Sequence, residues 1–468
     1  MLNYLEKLLF IEILEKVIRM RSFLLSEPDA LRHQNKEVTS VFLNALKAIV
    51  QNLKPIMGRL SEEVALDENE RWAIARSLSI VFNSVDNLHN HLQFTHGIWV
   101  RPETHVFLKS VLKFIPENRC PSSVNVILSN HYTFLETDLS AYIDDVLNPI
   151  HGDLNNKTPS VFLPKIEYGN PLNWAILVHE CGHADNQDKR SIFEQLKIIP
   201  PNTDIHKKEL IYSWFEEIYC DIFAVRILGP AYLASFSVIA LLAAGIKESE
   251  ALTDTTHPPD AVRINIIREV LKNSNLKVCL TEQICNFEDM SSLFFNIFEE
   301  RMKLSRQYNE FPFELPDLQL ALGEFVDEIC EQVERIINLS QQLQEEHLAR
   351  IGSLSQRLKK GILIGSYPNQ IQPEIKESFI NGRIKSDSLD IAKNAVQEQR
   401  VLLWEIVNAG WLNKIESLYP WAFKLFFGEN DLKIEEKIKY LGEELEIVDR
   451  LLLKSIEASE IHRVMEEI

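Results

Sequence analysis

The chain has 468 residues, 46% of them hydrophobic and 25% charged, a make-up that fits a folded protein too large for one ordinary core and that excludes disordered and fibrous classes. Its 49 Lys and Arg against 68 Asp and Glu leave a formal charge of -19, which argues against a dedicated nucleic-acid or anionic-membrane surface. Six cysteines (Cys120, Cys181, Cys220, Cys279, Cys285, Cys330) without CxxC spacing argue against both a disulfide framework and a cysteine zinc knuckle, and read as reduced thiols of a cytosolic protein.

The opening stretch, MLNYLEKLLFIEILEKVIRMRS, carries Glu6, Glu12 and Glu15 inside apolar sequence and has no small-residue cleavage site, so it reads as an amphipathic first helix and not as a secretory signal. Up to about Arg101 apolar residues recur at helical spacing, as in Phe42, Leu46, Ile49 and Leu53. Between 121 and 168 the pattern changes: Val124, Val126 and Leu128 alternate, and 161–168 is a second β-like stretch interrupted by Pro164, which predicts a small sheet. Asn170 before Pro171 predicts a capped helix start, from which the run WAILV leads into a pair of histidines.

A second helix is expected over 209–228, ended by Gly229 and Pro230, and a third after Thr256 with Pro258 and Pro259 in its first turn. The apolar run 231–246 has the length of a buried core helix and falls short of the roughly 20 residues needed to span a bilayer. Beyond 287 amphipathic patterns dominate, over 318–357 and 434–468, separated by a turn-rich stretch at 365–373. The short basic cluster 357–360 reads as a solvated helix face, and no fixed-period repeat or low-complexity tract is present.

His179-Glu180-Cys181-Gly182-His183 is an HExxH motif, whose spacing puts both imidazoles on one helix face a turn apart, where they can share a metal ion with Glu180 beside it. Zinc held by three protein ligands keeps a position for water, and a neighbouring carboxylate can take that water's proton. In the segment WFEEIYCDIF, Glu217 and Asp221 share a face of an otherwise apolar helix, and carboxylates there need partners. Glu217 as third ligand and Asp221 as the group that orients a ligand imidazole would satisfy both, with Glu216 on a more solvated side although the two adjacent acids are open to exchange of roles. His257 precedes a proline-started helix that carries Arg263, from which both reach back to donate to an oxyanion. Read alone, HExxH is suggestive only, and a His-Pro pair is more often a structural cap.

In this order HECGH, EIYCD and THPPDAVRI resemble the gluzincin zinc metallopeptidases of the CAAX prenyl protease group and their bacterial heat-shock and periplasmic relatives, at His179, Glu180, His183, Glu217, Asp221, His257 and Arg263. The resemblance covers about residues 161–270 and implies zinc-dependent endopeptidase activity, with His257 and Arg263 near the tetrahedral intermediate. Substrate binding in such enzymes looks like strand addition, with 161–168 as the candidate edge. Many members carry transmembrane helices and this chain shows none, so a membrane substrate is not carried over.

Other signals are weaker. His89, His91 and His96 lack an acidic or thiol partner at ligand spacing, Cys181 and Cys220 read as small buried hydrophobes, and no phosphate loop or Ser/His/Asp pattern stands out. The expectation is therefore an α+β, mostly helical protein: an N-terminal helical region (1–120), a zincin-like catalytic core with a small sheet (121–286) and a C-terminal helical region (287–468), whose flanks gate the cleft or recruit a regulatory partner. It is expected to be cytoplasmic, to bind Zn2+, and to cleave a protein or peptide substrate without nucleic-acid or membrane partners. The alternatives are a helical interaction protein with a structural zinc site or silent peptidase core, and a zinc hydrolase of non-peptide amides.

Overall fold

A computed structural model describes residues 3–25, 36–62, 64–92, 102–115, 125–129, 133–135, 160–164, 167, 169–185, 189–195, 205–243, 257–258, 260–273, 345–364 and 400–466. His96, Val124, Thr256, Pro259 and the stretches 318–344 and 365–373 lie outside these residues, as do the side chains of His89 and His91. In chain order the helices are α1 (Tyr4–Leu25), α2 (Lys36–Ser61), α3 (Glu68–Leu92), α4 (Pro102–Leu112), α5 (Ala175–His183), α6 (Lys189–Gln195), α7 (Ile205–Leu228), α8 (Pro230–Ala243), α9 (Asp260–Asn273), α10 (Glu345–Lys359), α11 (Leu403–Asn413), a π-helical turn (Lys414–Leu418), α12 (Tyr419–Phe427) and α13 (Ile434–Glu466).

The protein is mostly helical. Among the described residues the β-structure is one three-stranded sheet of β1 (Asn125–Ser129), β2 (Thr133–Leu135) and β3 (Ser160–Pro164) in the order β1-β3-β2. β3 pairs in parallel with β1, Val161 opposite Val126, and antiparallel with β2, Phe162 opposite Thr133. Both of its sides are thus occupied, so the expectation that 161–168 offers a free edge is overturned for β3. Pro164, which cannot donate to a ladder, is accommodated at the strand end.

Buried apolar side chains from all three sequence segments form one continuous cluster, from Leu5 through Trp174 and Ile218 to Trp411 and Ile456. α5, the helix of HECGH, packs on α7, and it also meets β2, β3, α4 and α8. α11 clamps the next corner: Asn408 Nδ2 donates to the Leu228 carbonyl (2.7 Å), its Oδ1 accepts from Ala231 N (3.0 Å), and Trp411 Nε1 donates to Ser235 Oγ (2.9 Å). Gly229 makes this corner by adopting φ 61°, a left-handed conformation that ends α7 as the sequence predicts, and Pro230 opens α8. α8 is the buried core helix expected from the 231–246 run, and no helix among the described residues is long and apolar enough to cross a membrane.

α1 departs from the amphipathic expectation. It is buried nearly all round, Glu6, Glu12, Glu15 and Lys16 included. Apart from the pair of Arg19 with Glu15 one turn away (2.8 Å), its charges are matched by distant partners: Lys414 Nζ lies 2.8 Å from Glu12 and 2.9 Å from Glu15, Arg19 also reaches Asp449 (2.5 Å), Arg71 pairs with Glu6 and Lys16 with Glu167. Burial works against ionised Lys414, yet Glu12 and Glu15 hold its pKa above the ordinary lysine value. The Tyr419 hydroxyl donates to Glu12 at 2.8 Å in the same pocket. Tyr419→Phe is expected to cost about 1.5–3 kcal/mol, the range for a hydrogen bond to a charged group, read as a lower urea midpoint at unchanged slope.

This ionic layer ends at the start of the HECGH helix. Glu167 accepts from Asn170 Nδ2 (2.8 Å) and Asn173 Nδ2 (3.1 Å), and its carbonyl accepts from Trp174 Nε1 (3.0 Å). Asn170 is therefore not the cap that the sequence predicts. α5 begins at Ala175 after a tight turn whose backbone bonds, Ile176 to Asn173 and Leu177 to Trp174, bridge only three residues.

Candidate metal centre

α5 presents His179 and His183 one turn apart, their rings 5.1 Å between centroids, and α7 crosses them with Glu217 and Asp221. Glu217 Oε2 is 3.2 Å from His179 Nε2, and Oε1 is 3.4 Å from His183 Nε2. On the other side of the first ring His179 Nδ1 lies 2.9 Å from Asp221 Oδ1. Arg263 holds Asp221 in turn, through Nε at 2.8 Å and Nη2 at 2.7 Å, and Tyr232 donates its hydroxyl to the same carboxylate.

Glu216 stands beside the ring of His183, farther away and in a wetter position than Asp221 beside His179. Its Oε1 lies 3.4 Å from His183 Nδ1 and 3.4 Å from Lys189 Nζ, with the side chain 46% exposed. The two adjacent acids have separate positions: Glu217 faces both Nε2 atoms and Glu216 only an Nδ1. Glu216 is on the more solvated side that its step of about 100° around the helix from Glu217 predicts, but its contact with His183 was not foreseen.

The charge balance is strongly biased. Burial favours a neutral His179, but hydrogen bonds and charge from Asp221 and Glu217 lift its pKa to about 10. Burial likewise opposes the charge of His183, and Cys220, Glu216 and Glu217 push its pKa well above the ordinary range. Glu217 is held far below the usual carboxylate range because hydrogen bonds from both imidazoles outweigh its burial, and Asp221 falls to about 2 because Arg263 outweighs its burial. Glu180 moves upward, since its burial exceeds the pull of the two imidazoles.

The donor chemistry fits a metal cation. If each ring proton sits on Nδ1, facing Asp221 or Glu216, each Nε2 directs a lone pair at a carboxylate oxygen of Glu217 a little over 3 Å away. Two acceptors at that separation repel unless positive charge lies between them, and either protons on the rings or a metal ion supplies it.

A second donor set overlaps the first. Ligand atoms of His179, His183 and Cys220 lie within 4.8 Å of one another, a group able to hold a metal ion, and the Cys220 side chain hydrogen-bonds His183. Reading Cys220 as a small hydrophobe missed this. The available signal was its position on α7, one turn after Glu217 and next to Asp221. Cys181 is buried as expected.

The family models, the curated proteins and the solved structures contain no match to this chain. The remaining expected residues are placed by geometry alone. His257 is half exposed, with Nε2 3.5 Å from Glu217 Oε1, so it stands at the solvent side of the centre. Arg263 is buried behind it; beyond its two bonds to Asp221, Nη2 lies 3.6 Å from Glu217 Oε2. Its guanidinium acts on the centre through these carboxylates.

Proposed function

We propose that the chain is a zinc-dependent endopeptidase in which His179, His183 and Glu217 hold the metal, Asp221 orients His179, and Glu180 is the general base. The observation that carries this reading is the convergence of both HECGH imidazoles on one carboxylate from α7, with a second carboxylate behind the first imidazole. A zincin-like catalytic core over residues 121–286, a cytoplasmic location and a protein or peptide substrate belong to the same proposal.

When bound, zinc supplies Lewis acidity, which polarises a carbonyl and makes a water acidic near neutral pH. Glu180, next to His179 in sequence and buried, accepts the proton of the attacking water and returns it to the departing amine. His257, on the solvent side with Nε2 3.5 Å from Glu217, would donate to the carbonyl oxygen as negative charge grows on it. Arg263 is a positioning residue here: it fixes Asp221, which fixes the ring of His179. One peptide bond and one water become a carboxylate and an amine.

The thiol beside the two histidines favours a second reading, an interaction protein whose metal centre is structural. Hydrolysis of a denatured protein that survives in wild type and disappears in Glu180→Gln supports the peptidase. Equal behaviour of both proteins supports the structural site.

A further inference from the structure

We propose that Tyr232 is a further positioning residue of this centre: together with Asp221 it keeps the ring proton of His179 on Nδ1, which leaves Nε2 as the nitrogen that faces Glu217 and takes the metal. The proposal rests on the metal centre of the metallopeptidase reading and adds to it a residue of α8.

Tyr232 is wholly buried, and its hydroxyl oxygen lies 3.3 Å from His179 Nδ1. The same hydroxyl donates its one proton to Asp221 Oδ1, so toward the imidazole it offers only lone pairs. Asp221 Oδ1, 2.9 Å from Nδ1, is likewise an acceptor. Arg263 Nη2 stands 3.5 Å from Nδ1, but it already donates to Asp221 at 2.7 Å. Two acceptors therefore face Nδ1 from different residues, and the neutral ring meets both by carrying its proton there. The ring planes of His179 and Tyr232 are within 5° of parallel, their centroids 6.4 Å apart, so the phenol meets the imidazole along a fixed direction.

The fold holds this phenol from several sides. On α8 its chain neighbour Ala231 gives its N–H to Asn408 of α11, and one turn on Ser235 donates to the Leu172 carbonyl (2.8 Å) just before the HECGH helix. Phe236, also one turn on, stacks against Tyr232 with centroids 6.0 Å apart, and the Arg263 guanidinium lies 4.5 Å above the Phe236 ring. α8 thus carries two aromatic rings to one place, Tyr232 against His179 and Asp221 and Phe236 beneath Arg263. A ligand imidazole held by side chains that are themselves locked by packing is the arrangement that a precise metal site needs.

The test is nitrogen-15 histidine NMR of the zinc-loaded full chain, wild type beside Tyr232→Phe, with zinc affinity measured by chelator competition and hydrolysis of denatured casein followed in the same samples. Expected are a slowly exchanging Nδ1–H signal of His179 in wild type, and its upfield shift and faster exchange in Tyr232→Phe. Zinc affinity should fall about tenfold in the variant, the lower end of the 10–100-fold range for partners of a ligand histidine, since Asp221 remains. A hydroxyl that served packing alone would leave the signal where it is. His179 bound through Nδ1 in wild type would overturn the proposal even if the variant failed to fold; so would a signal and an affinity unchanged in Tyr232→Phe. Either result leaves the peptidase reading standing if wild type hydrolyses casein. The expected changes with no hydrolysis by wild type would overturn the peptidase reading and keep Tyr232 as the positioning residue of a structural centre.

Discussion

Glu180→Gln is expected to lower hydrolysis of a denatured protein by about a hundred- to ten-thousand-fold, the usual worth of a positioned general base, while zinc content stays at the wild-type level. The substitution keeps the size and shape of a buried side chain on α5, and Glu180 belongs to none of the three residues whose atoms converge on one another through Glu217. The fold and the donor set should therefore survive it. Zinc content and turnover measured on the same preparation separate catalysis from metal retention, and undiminished turnover in the variant would remove Glu180 from the mechanism.

Asp221→Ala is expected to damage stability and metal affinity together. Asp221 is fully buried and accepts from Arg263 through two nitrogens, from Tyr232, and from His179 Nδ1. Its removal leaves the buried Arg263 cation, among the described residues, with Glu217 at 3.6 Å as its remaining carboxylate, a loss of about 3–5 kcal/mol for a broken buried ion pair. The ring of His179 also loses the group that fixes its orientation, which typically costs about 10–100-fold in metal affinity. Urea unfolding of the metal-free protein reads the first effect and competition with a zinc chelator reads the second. A double variant, Asp221→Leu with Arg263→Met, should recover much of the stability and none of the affinity, because it removes both charges but restores no partner for His179. Wild-type values of both quantities in Asp221→Ala would show that the carboxylate does not support the centre.

The site was legible where chemistry follows local helical spacing. His179 and His183, or Glu217 and Asp221, four residues apart on one face, announce a shared task without knowledge of the rest of the fold. Gly229 and Pro230 announced the corner between α7 and α8 for the same local reason. What stayed hidden depends on which helices meet. Cys220 looks like any small buried residue until Gly182 is known to lie against it, and Glu216, half exposed as its helix position suggests, gains its His183 contact only because α5 packs there.

The acids of α1 suggested a wet face because their partners are far away in sequence: Tyr419 for Glu12, Lys414 for Glu12 and Glu15, Asp449 for Arg19. Nothing within one turn of α1 encodes those pairings. The position of β3 between two other strands is equally non-local, since alternation marks a strand but not its neighbours. Those distant contacts tie the N- and C-terminal helices into the same core as the HECGH helix, and so into the support of the site.

The most direct test of the account is the zinc content of purified full-length protein after loading and desalting, wild type beside a His179→Ala/His183→Ala double variant. About one zinc per chain is expected in wild type and none in the variant, the result for a centre built on the two imidazoles of HECGH. Zinc retained in full by the double variant, or absent from loaded wild type, would contradict it.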